Sequence, residues 1–450
     1  MINLRQNQIF NIVKWFVLAT IIGVVVGAVD AVFLKALDKT IAWRGQFNLY
    51  YIGLPFILYI VYLLARRVLP KETDYSTDDV IDKINTYRTV GWVSAVKALV
   101  LPLLTIAAGG SAGKEAPGAD AGAGISSCFA QLLRMSAEDR HKLMICGVSA
   151  GFAGVFGVPI SGALFGLEVL WVGHIFYEVM FPALIAGITS FQITTHLGVN
   201  YIYHPMHFEP IIAEQFFLKV VVAGVLFGLV SIVFAELLKL MKVLFRYIAV
   251  KTSPFWRSFI GGVILVLVGL WISPQYLGLG IEGFNDLLAG GNLSNPLGFL
   301  IKSFTTAITF AAGGVGGLIT PIFFIGAQAG AALAGWLGTD PSTMAALGLV
   351  AVLAGAANTP LAASIMAVEL FGAAIAPYAA VACVISFLLS GRQSIYGSQR
   401  ISFDKRKEIV VADPHQARRM SGKKGMVLRT FKKMSRHLVP NPKGFDKEEK

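Results

Sequence analysis

Charge is missing from long intervals of this chain. None occurs from Leu143 to Leu167, from Ser303 to Thr339, from Pro341 to Val368 or from Leu370 to Gly391. About 20 apolar residues are enough for an α-helix to cross a bilayer. Inside lipid the backbone must satisfy its own hydrogen bonds, which favours helices. Composition agrees: 14% of the 450 residues are charged, against about 25% in an ordinary soluble protein. The expectation is an all-α polytopic membrane protein. Its first apolar segment, "FNIVKWFVLATIIGVVVGAVDAVFLKAL", is too long for a signal peptide and lacks a small-residue cleavage site, so it reads as a retained helix. Cys128, Cys146 and Cys383 all sit in apolar segments. An odd, buried set offers neither a disulfide framework nor metal spacing, and no cofactor is expected.

The net charge of +12 has a local origin. Residues 391–450 hold sixteen Lys and Arg against six Asp and Glu, a surplus of ten. The body is therefore nearly neutral, and 401–450 reads as a basic cytoplasmic tail obeying the positive-inside rule, with no nucleic-acid partner. Its stretch "RRMSGKKGMVLRTFKKMSRHL" can also touch anionic lipid. At about 50 residues the tail is short for a regulatory domain.

Apolar segments lie near 10–37, 51–69, 91–109, 116–133, 143–172, 175–203, 216–238, 258–281, 299–316, 321–338, 343–357 and 360–390. Basic loops at Arg66–Arg67, at 134–142 and between Lys239 and Arg257 are candidates for the cytoplasmic face. Two repeats emerge, at about 51–200 and 216–392. "GVSAGFAGVFGVPISGALFGLE" (147–168) aligns without a gap with "GLVAVLAGAANTPLAASIMAVE" (348–369), at an offset of 201. "GGSAGKEAP" (109–117) matches "GGVGGLITP" (313–321) at an offset of 204. Duplicated broken segments are a transporter architecture, with the ion site between the repeats. The alignment leaves open whether the repeats are parallel or inverted.

The stretch "GGSAGKEAPGADAGAG" (109–124) places a lysine and two acids in a small, apolar run. A phosphate loop requires Gly-x-x-x-x-Gly-Lys-[Ser/Thr]. Here the first position is Ala108 and Lys114 is followed by Glu115, which would repel phosphate. "GGSAG" does satisfy the Gly-x-Ser-x-Gly nucleophile turn, with Ser111 as nucleophile. So does "GVSAG" at 147–151, and the only acid at helical spacing from an intramembrane histidine is Glu178 beside His174. An intramembrane hydrolase is therefore a remote alternative. A break in a membrane helix fits best. A helix N-terminus offers unpaired N–H groups and the positive end of its dipole to an anion. Pro117 and Pro321 suit the first turn of the helices that follow. Glu115 stands there as a mobile carboxylate competing for the same amides, since intramembrane carboxylates are usually functional.

These residues resemble the CLC family of chloride channels and chloride/proton exchangers. "GKEAP" (Gly113, Lys114, Glu115, Ala116, Pro117) resembles the gating motif G-[KR]-E-G-P, with Ala116 for the usual glycine. "GLITP" (Gly317, Leu318, Ile319, Thr320, Pro321) resembles G-x-F-x-P, with Ile319 for phenylalanine. "GVPISGALFGLE" resembles the proline-to-glutamate segment after the gate, and "GRQSIYGSQ" supplies Tyr396 as the pore tyrosine. The resemblance runs from about residue 12 to 400. It implies a transmembrane domain over 1–400 with about 18 short, tilted helices in two inverted repeats, and a homodimer with one pore per subunit. It implies Glu115 as gate, and an anion held by the N–H groups of Leu318 and Ile319 with the Tyr396 hydroxyl. Both ends would be cytoplasmic, in a prokaryotic inner membrane.

Three departures matter. The first family motif, G-S-G-I-P, is missing; its place falls in "TDYSTDDVIDKI", where Ser76 or Thr77 would supply the hydroxyl. Asp120 stands where a neutral amide is usual. Val169 follows Glu168 where exchangers carry their internal proton-handling glutamate. The "LEV" pattern and "GGLITP" also resemble the fluoride-exporting branch, which has a glutamate where this chain has Leu318. The reading is thus chloride transport, passive or weakly proton-coupled, with a chloride/proton or fluoride/proton antiporter as alternative. Glu178, Glu168 or buried water could still relay protons.

Overall fold

The computed structural model describes residues 2–68, 77–206, 214–401, 403–404 and 409–410. Ser76 and nearly all of the basic tail therefore lie outside the described residues. Within them the chain forms sixteen α-helices. The first eight are α1 (Ile2–Arg44), α2 (Leu54–Val68), α3 (Thr77–Asn85), α4 (Trp92–Ala107), α5 (Glu115–Leu132), α6 (Ala137–Phe156), α7 (Pro159–Glu168) and α8 (Tyr177–His196). The second eight are α9 (Glu214–Lys251), α10 (Pro254–Trp271), α11 (Ile281–Leu288), α12 (Gly298–Ala311), α13 (Ile319–Leu337), α14 (Pro341–Ala357), α15 (Pro360–Phe371) and α16 (Ala376–Ser390). Strand pairing is confined to two-residue pieces. Of these, β1 (Trp171–Val172) pairs in parallel with β2 (Arg400–Ile401).

Five of the described helices are long and apolar enough to cross a membrane, α1 and α9 among them, and five more are apolar but shorter. Broken spans of this kind explain why sixteen helices, close to the eighteen expected, fit into a chain of this length. The apolar runs break where the backbone leaves the right-handed helical region. Gly157 (φ +72°) ends α6, and its counterpart Asn358 (φ +59°) ends α14. Pro159 and Pro360 then open α7 and α15, because proline fixes the helical φ and needs no N–H partner at that place. All three basic stretches read as loops are wholly or partly helical: Arg66 and Arg67 lie in the last turn of α2, and 137–142 in the first turns of α6. The basic residues after 238 do not form a loop: Lys239, Lys242 and Arg246 ride on α9, which continues to Lys251. The helical backbone tolerates long cationic side chains that reach outward, so charge alone does not end a helix.

The halves repeat element by element. α1 packs on α8 as α9 packs on α16, and α5 on α6 as α13 on α14. The duplication therefore takes in the N-terminal helix as well as the segments after residue 51. Packing between α5 and α6 is backbone to backbone: a Cβ at Gly122 would run into the Gly147 carbonyl, and one at Gly326 into that of Gly348. Without a hydrophobic driving force between helices in lipid, such close approach supplies the packing energy.

Candidate functional site

The site lies where equivalent segments of the two halves meet. Gly113 and Gly317 exchange two hydrogen bonds, N–H to O at 2.7 Å one way and 2.9 Å the other, as an antiparallel bridge. Antiparallel pairing of matching positions requires an approximate two-fold axis between them, the relation that inverted repeats have. Side chains follow the same symmetry. Thr309 Oγ1 accepts from the Ser111 N–H at 3.0 Å, and Thr105 Oγ1 accepts from the Val315 N–H at 3.2 Å. These bonds fix two glycine-rich approaches, and α5 and α13 start immediately beyond them. Lys114 and Leu318, the N-caps, have nearly the same backbone (φ −95°, ψ −10° and φ −102°, ψ −17°).

The symmetry fails at one residue pair. The first residue of α13 is Ile319, whereas the first residue of α5 is Glu115, which is 1% exposed. Its carboxylate crosses to the other repeat. Oε1 accepts from the Ile319 N–H, and Oε2 from the Thr320 hydroxyl at 2.7 Å. Thr320 Oγ1 in turn lies 3.4 Å from the Lys114 N–H. A Cβ at Gly317 or at Gly113 would overlap this carboxylate; the glycines leave the space it fills. An anionic group thus occupies the N–H groups at a helix start, the place a free anion favours. Pro117 and Pro321 stand in the first turns of α5 and α13, and Ala116 is buried beside Glu115.

Tyr396 is brought to the same place by the segment after α16. It is 4% exposed, and the carboxylates of Glu115, Asp120 and Asp78 lie within electrostatic reach of it. Four polar side chains clamp this segment. Asn358 donates to the Gln393 carbonyl (3.2 Å) and to Gln399 Oε1 (3.1 Å). Gln399 donates to the Val169 and Ala357 carbonyls, both at 2.7 Å. Asn85 donates to the Ser398 carbonyl (3.3 Å) and to the Leu170 carbonyl (3.0 Å), and Asp78 accepts from the Ser398 N–H (2.8 Å). None of these four stood out in the sequence. The signal for Asn358 was its alignment with Gly157, a residue that adopts positive φ.

Thr77 opens α3, and its hydroxyl donates to Asp120 Oδ2 at 3.0 Å. Both line a cavity of about 40 Å³ together with Ala116, Pro117 and Val315. Glu168 and Val169 lie elsewhere. Val169 is buried, and Glu168 accepts from the N–H groups of Leu361 (3.1 Å) and Ala362 (2.9 Å). Glu178 is exposed. Ser111 is buried against the Thr306 hydroxyl at 2.8 Å, so the nucleophile-turn pattern here is a helix-approach element.

A helix start whose N–H is taken by a carboxylate is a place that suits an anion, and comparison with known proteins agrees. The family described as voltage gated chloride channel matches residues 56–391. The chain belongs to the CLC family. It is 34% identical over 422 residues to a chloride/fluoride channel protein of Pseudomonas syringae pv. tomato, covering 88% of each chain. It is 26% identical over 350 residues to the voltage-gated ClC-type chloride channel ClcB of Escherichia coli, covering 74% of this chain and 82% of ClcB. A crystal structure of a CLC-type fluoride/proton antiporter superposes with a TM-score of 0.81 at 29% identity, covering 87% of this chain and 99% of that one. A slow cyanobacterial Cl⁻/H⁺ antiporter superposes at 0.74 with 19% identity, over 91% and 99% of the chains, and shares the fold. This CLC protein is accordingly an anion transporter of the membrane and not an enzyme.

Proposed function

We propose that this CLC protein passes chloride or another small halide through a pathway gated by Glu115, passively or with weak coupling to protons. The observation that carries this reading is the Glu115 carboxylate seated on the Ile319 N–H and the Thr320 hydroxyl. When the carboxylate leaves, those donors, the Leu318 N–H and the Tyr396 hydroxyl become the seat of the transported anion. Protonation of Glu115 removes its charge and favours departure. Weak coupling is supported by three features. Val169 offers no carboxylate, Glu168 is engaged with two N–H groups, and Glu178 lies on the surface.

Fluoride/proton or chloride/proton exchange is the second reading. It is favoured by the likeness to the fluoride/proton antiporter structure, although Leu318 stands where that branch has a glutamate. A homodimer with a basic cytoplasmic tail at 401–450, and both ends cytoplasmic in a prokaryotic inner membrane, completes the proposal. Purified protein in vesicles with an imposed halide gradient tests the transport reading. Halide efflux without uphill proton movement is expected. Uphill proton pumping replaces the first reading with the second, and absence of any halide flux rejects both.

A further inference from the structure

Asp30 stands on α1 where α5, α6 and α8 meet it, and it is fully buried. Neither of its carboxyl oxygens has a hydrogen-bond partner, and neither does the nearby Ser190 hydroxyl. The place a Cβ would take at Gly154 lies 2.6 Å from Asp30 Oδ2 and 2.7 Å from Ser190 Oγ. That at Gly118, one turn after Glu115, lies 3.0 Å from Asp30 Oδ1 and 2.8 Å from the Gly151 carbonyl oxygen.

The second repeat builds the same joint without a charge. At the offset of 201, Asp30, Gly151 and Gly154 correspond to Ser231, Val352 and Gly355. Ser231 and Ser386 border Gly355 as Asp30 and Ser190 border Gly154. The Ser231 hydroxyl donates to the Val352 carbonyl at 3.1 Å and shares its hydrogen with the Phe227 carbonyl at 3.0 Å. Where the second repeat turns a donor toward a carbonyl, the first therefore turns a carboxyl group. An ionised carboxylate only accepts, and a buried charge needs a partner. The surrounding helices bring no basic side chain to it. α5 has none, α6 none beyond Lys142, and α8 only His196 at its last position. Lys97 on α4 directs its ammonium to the Ala65 carbonyl. The next charges on α1 toward its end are Lys35 and Asp38. The other titratable groups near the joint are Glu115 and Asp120 on α5, Glu178 at the start of α8, and Tyr201. The Tyr201 hydroxyl donates to the Gly154 carbonyl and to Thr194 Oγ1.

We propose that Asp30 and the Gly151 carbonyl share a resident positive ion, a proton or a sodium-sized alkali cation, that joins α1 to α6 beside the gate helix α5. A proton on Oδ1 donates to the Gly151 carbonyl as Ser231 does to that of Val352, and Oδ2 is left to accept from Ser190. An alkali cation takes the same oxygens as ligands, as carboxylates and carbonyls suit hard cations. Asp30 is thus an ion-binding carboxyl in addition to Glu115, and the inference does not rest on the transport reading above.

The test follows unfolding of the full chain in detergent, with wild type set beside Asp30→Ser, which supplies the hydroxyl of the second repeat. An ion bound only by the native state makes stability depend on that ion's activity. If the ion is a proton, the wild type loses stability relative to Asp30→Ser as pH rises from 5 to 8 in choline chloride. The ratio of their unfolding constants then changes by up to about tenfold per pH unit. If it is an alkali cation, the wild type gains up to about tenfold for each tenfold rise in Na⁺ at fixed pH and chloride. Either slope supports the proposal and says which ion is held. Should Asp30→Ser not fold, Asp30→Asn, whose amide can donate to the Gly151 carbonyl, makes the same comparison. A wild type that follows the variant in both series overturns the proposal. Neither readout involves halide flux, so the transport reading stands or falls separately.

Discussion

Glu168 and Glu369 each cap the helix that the other repeat contributes. Glu168 holds the N–H groups of Leu361 and Ala362 at the start of α15. Glu369 holds those of Ile160 and Ser161 at the start of α7, at 2.9 and 2.8 Å. All three pairs of residues are related by the offset of 201 that joins the repeats. The two short helices begin with proline and have no capping side chain of their own, so the orphan donors of each are met from across the pseudo-two-fold axis. Carboxylates suit the task because the helix dipole favours negative charge there. The pair is a second joint between the repeats besides the Gly113–Gly317 bridge.

Removing either cap should loosen the joint between repeats. A hydrogen bond to a charged group contributes about 1.5–3 kcal/mol, and each glutamate makes two. Glu168→Ala is expected to destabilise the protein by about 3 kcal/mol. Glu369→Ala should cost less, because its side chain is more exposed and water replaces part of the loss. Thermal unfolding in detergent measures both. A Glu168→Ala protein that melts with the wild type would mean that the two N–H groups find other partners.

Glu115→Gln should abolish the pH dependence that the gate imposes. The neutral amide resembles the protonated acid, so it holds the Ile319 N–H and Thr320 hydroxyl weakly and yields to an anion. Wild-type flux is expected to rise as pH falls through the titration of Glu115, since protonation empties the seat. The Gln variant should show high flux at neutral pH with that component missing. Flux assays in vesicles between pH 5 and 8 make the comparison, and an unaltered profile would reduce Glu115 to a helix-end acid.

Much of this site was legible because glycine and proline mark breaks that apolar residues cannot. Gly113–Pro117 and Gly317–Pro321 declared two helix starts, and the gap-free match of 147–168 with 348–369 declared the duplication. What stayed hidden was relational. Nothing local to Glu168 says that its partner is a helix 193 residues away, and a glutamate at that spot read as a candidate proton relay. The two-fold relation between the repeats needed the bridge between Gly113 and Gly317. The contact of the Thr77 hydroxyl with Asp120, 43 residues away, was likewise not visible in the spacing. Cationic side chains that extend sideways from a helix, as on α9 and at Arg66 on α2, resemble a loop in sequence.

Gly317→Ala should open the gate by volume. Its backbone is not in the left-handed region, so alanine brings no conformational strain. The added Cβ, however, occupies the space of the Glu115 carboxylate. The acid cannot remain on the Ile319 N–H, so the variant is expected to conduct at neutral pH about as well as Glu115→Gln. Combining the two substitutions should add nothing further, because both act by emptying one seat. Vesicle flux with the single and double variants tests this; an additive increase would separate the two effects.

Asn358 joins the helix break to the segment that carries Tyr396, and two substitutions separate its duties. Its backbone lies at φ +59°, which costs an ordinary residue about 1 kcal/mol and glycine almost nothing. Its side chain holds Gln393 and Gln399 on either side of Tyr396. Asn358→Gly keeps the backbone geometry and removes the clamp, so flux should fall through a misplaced Tyr396 hydroxyl while the helix break persists. Asn358→Ala loses both and should melt earlier than Asn358→Gly, by roughly 1 kcal/mol of stability. Halide affinity from calorimetry, set beside the melting curves, distinguishes the two. If Asn358→Gly binds halide as tightly as the wild type, the clamp serves the fold alone and Tyr396 is positioned by Asp78 and Gln399.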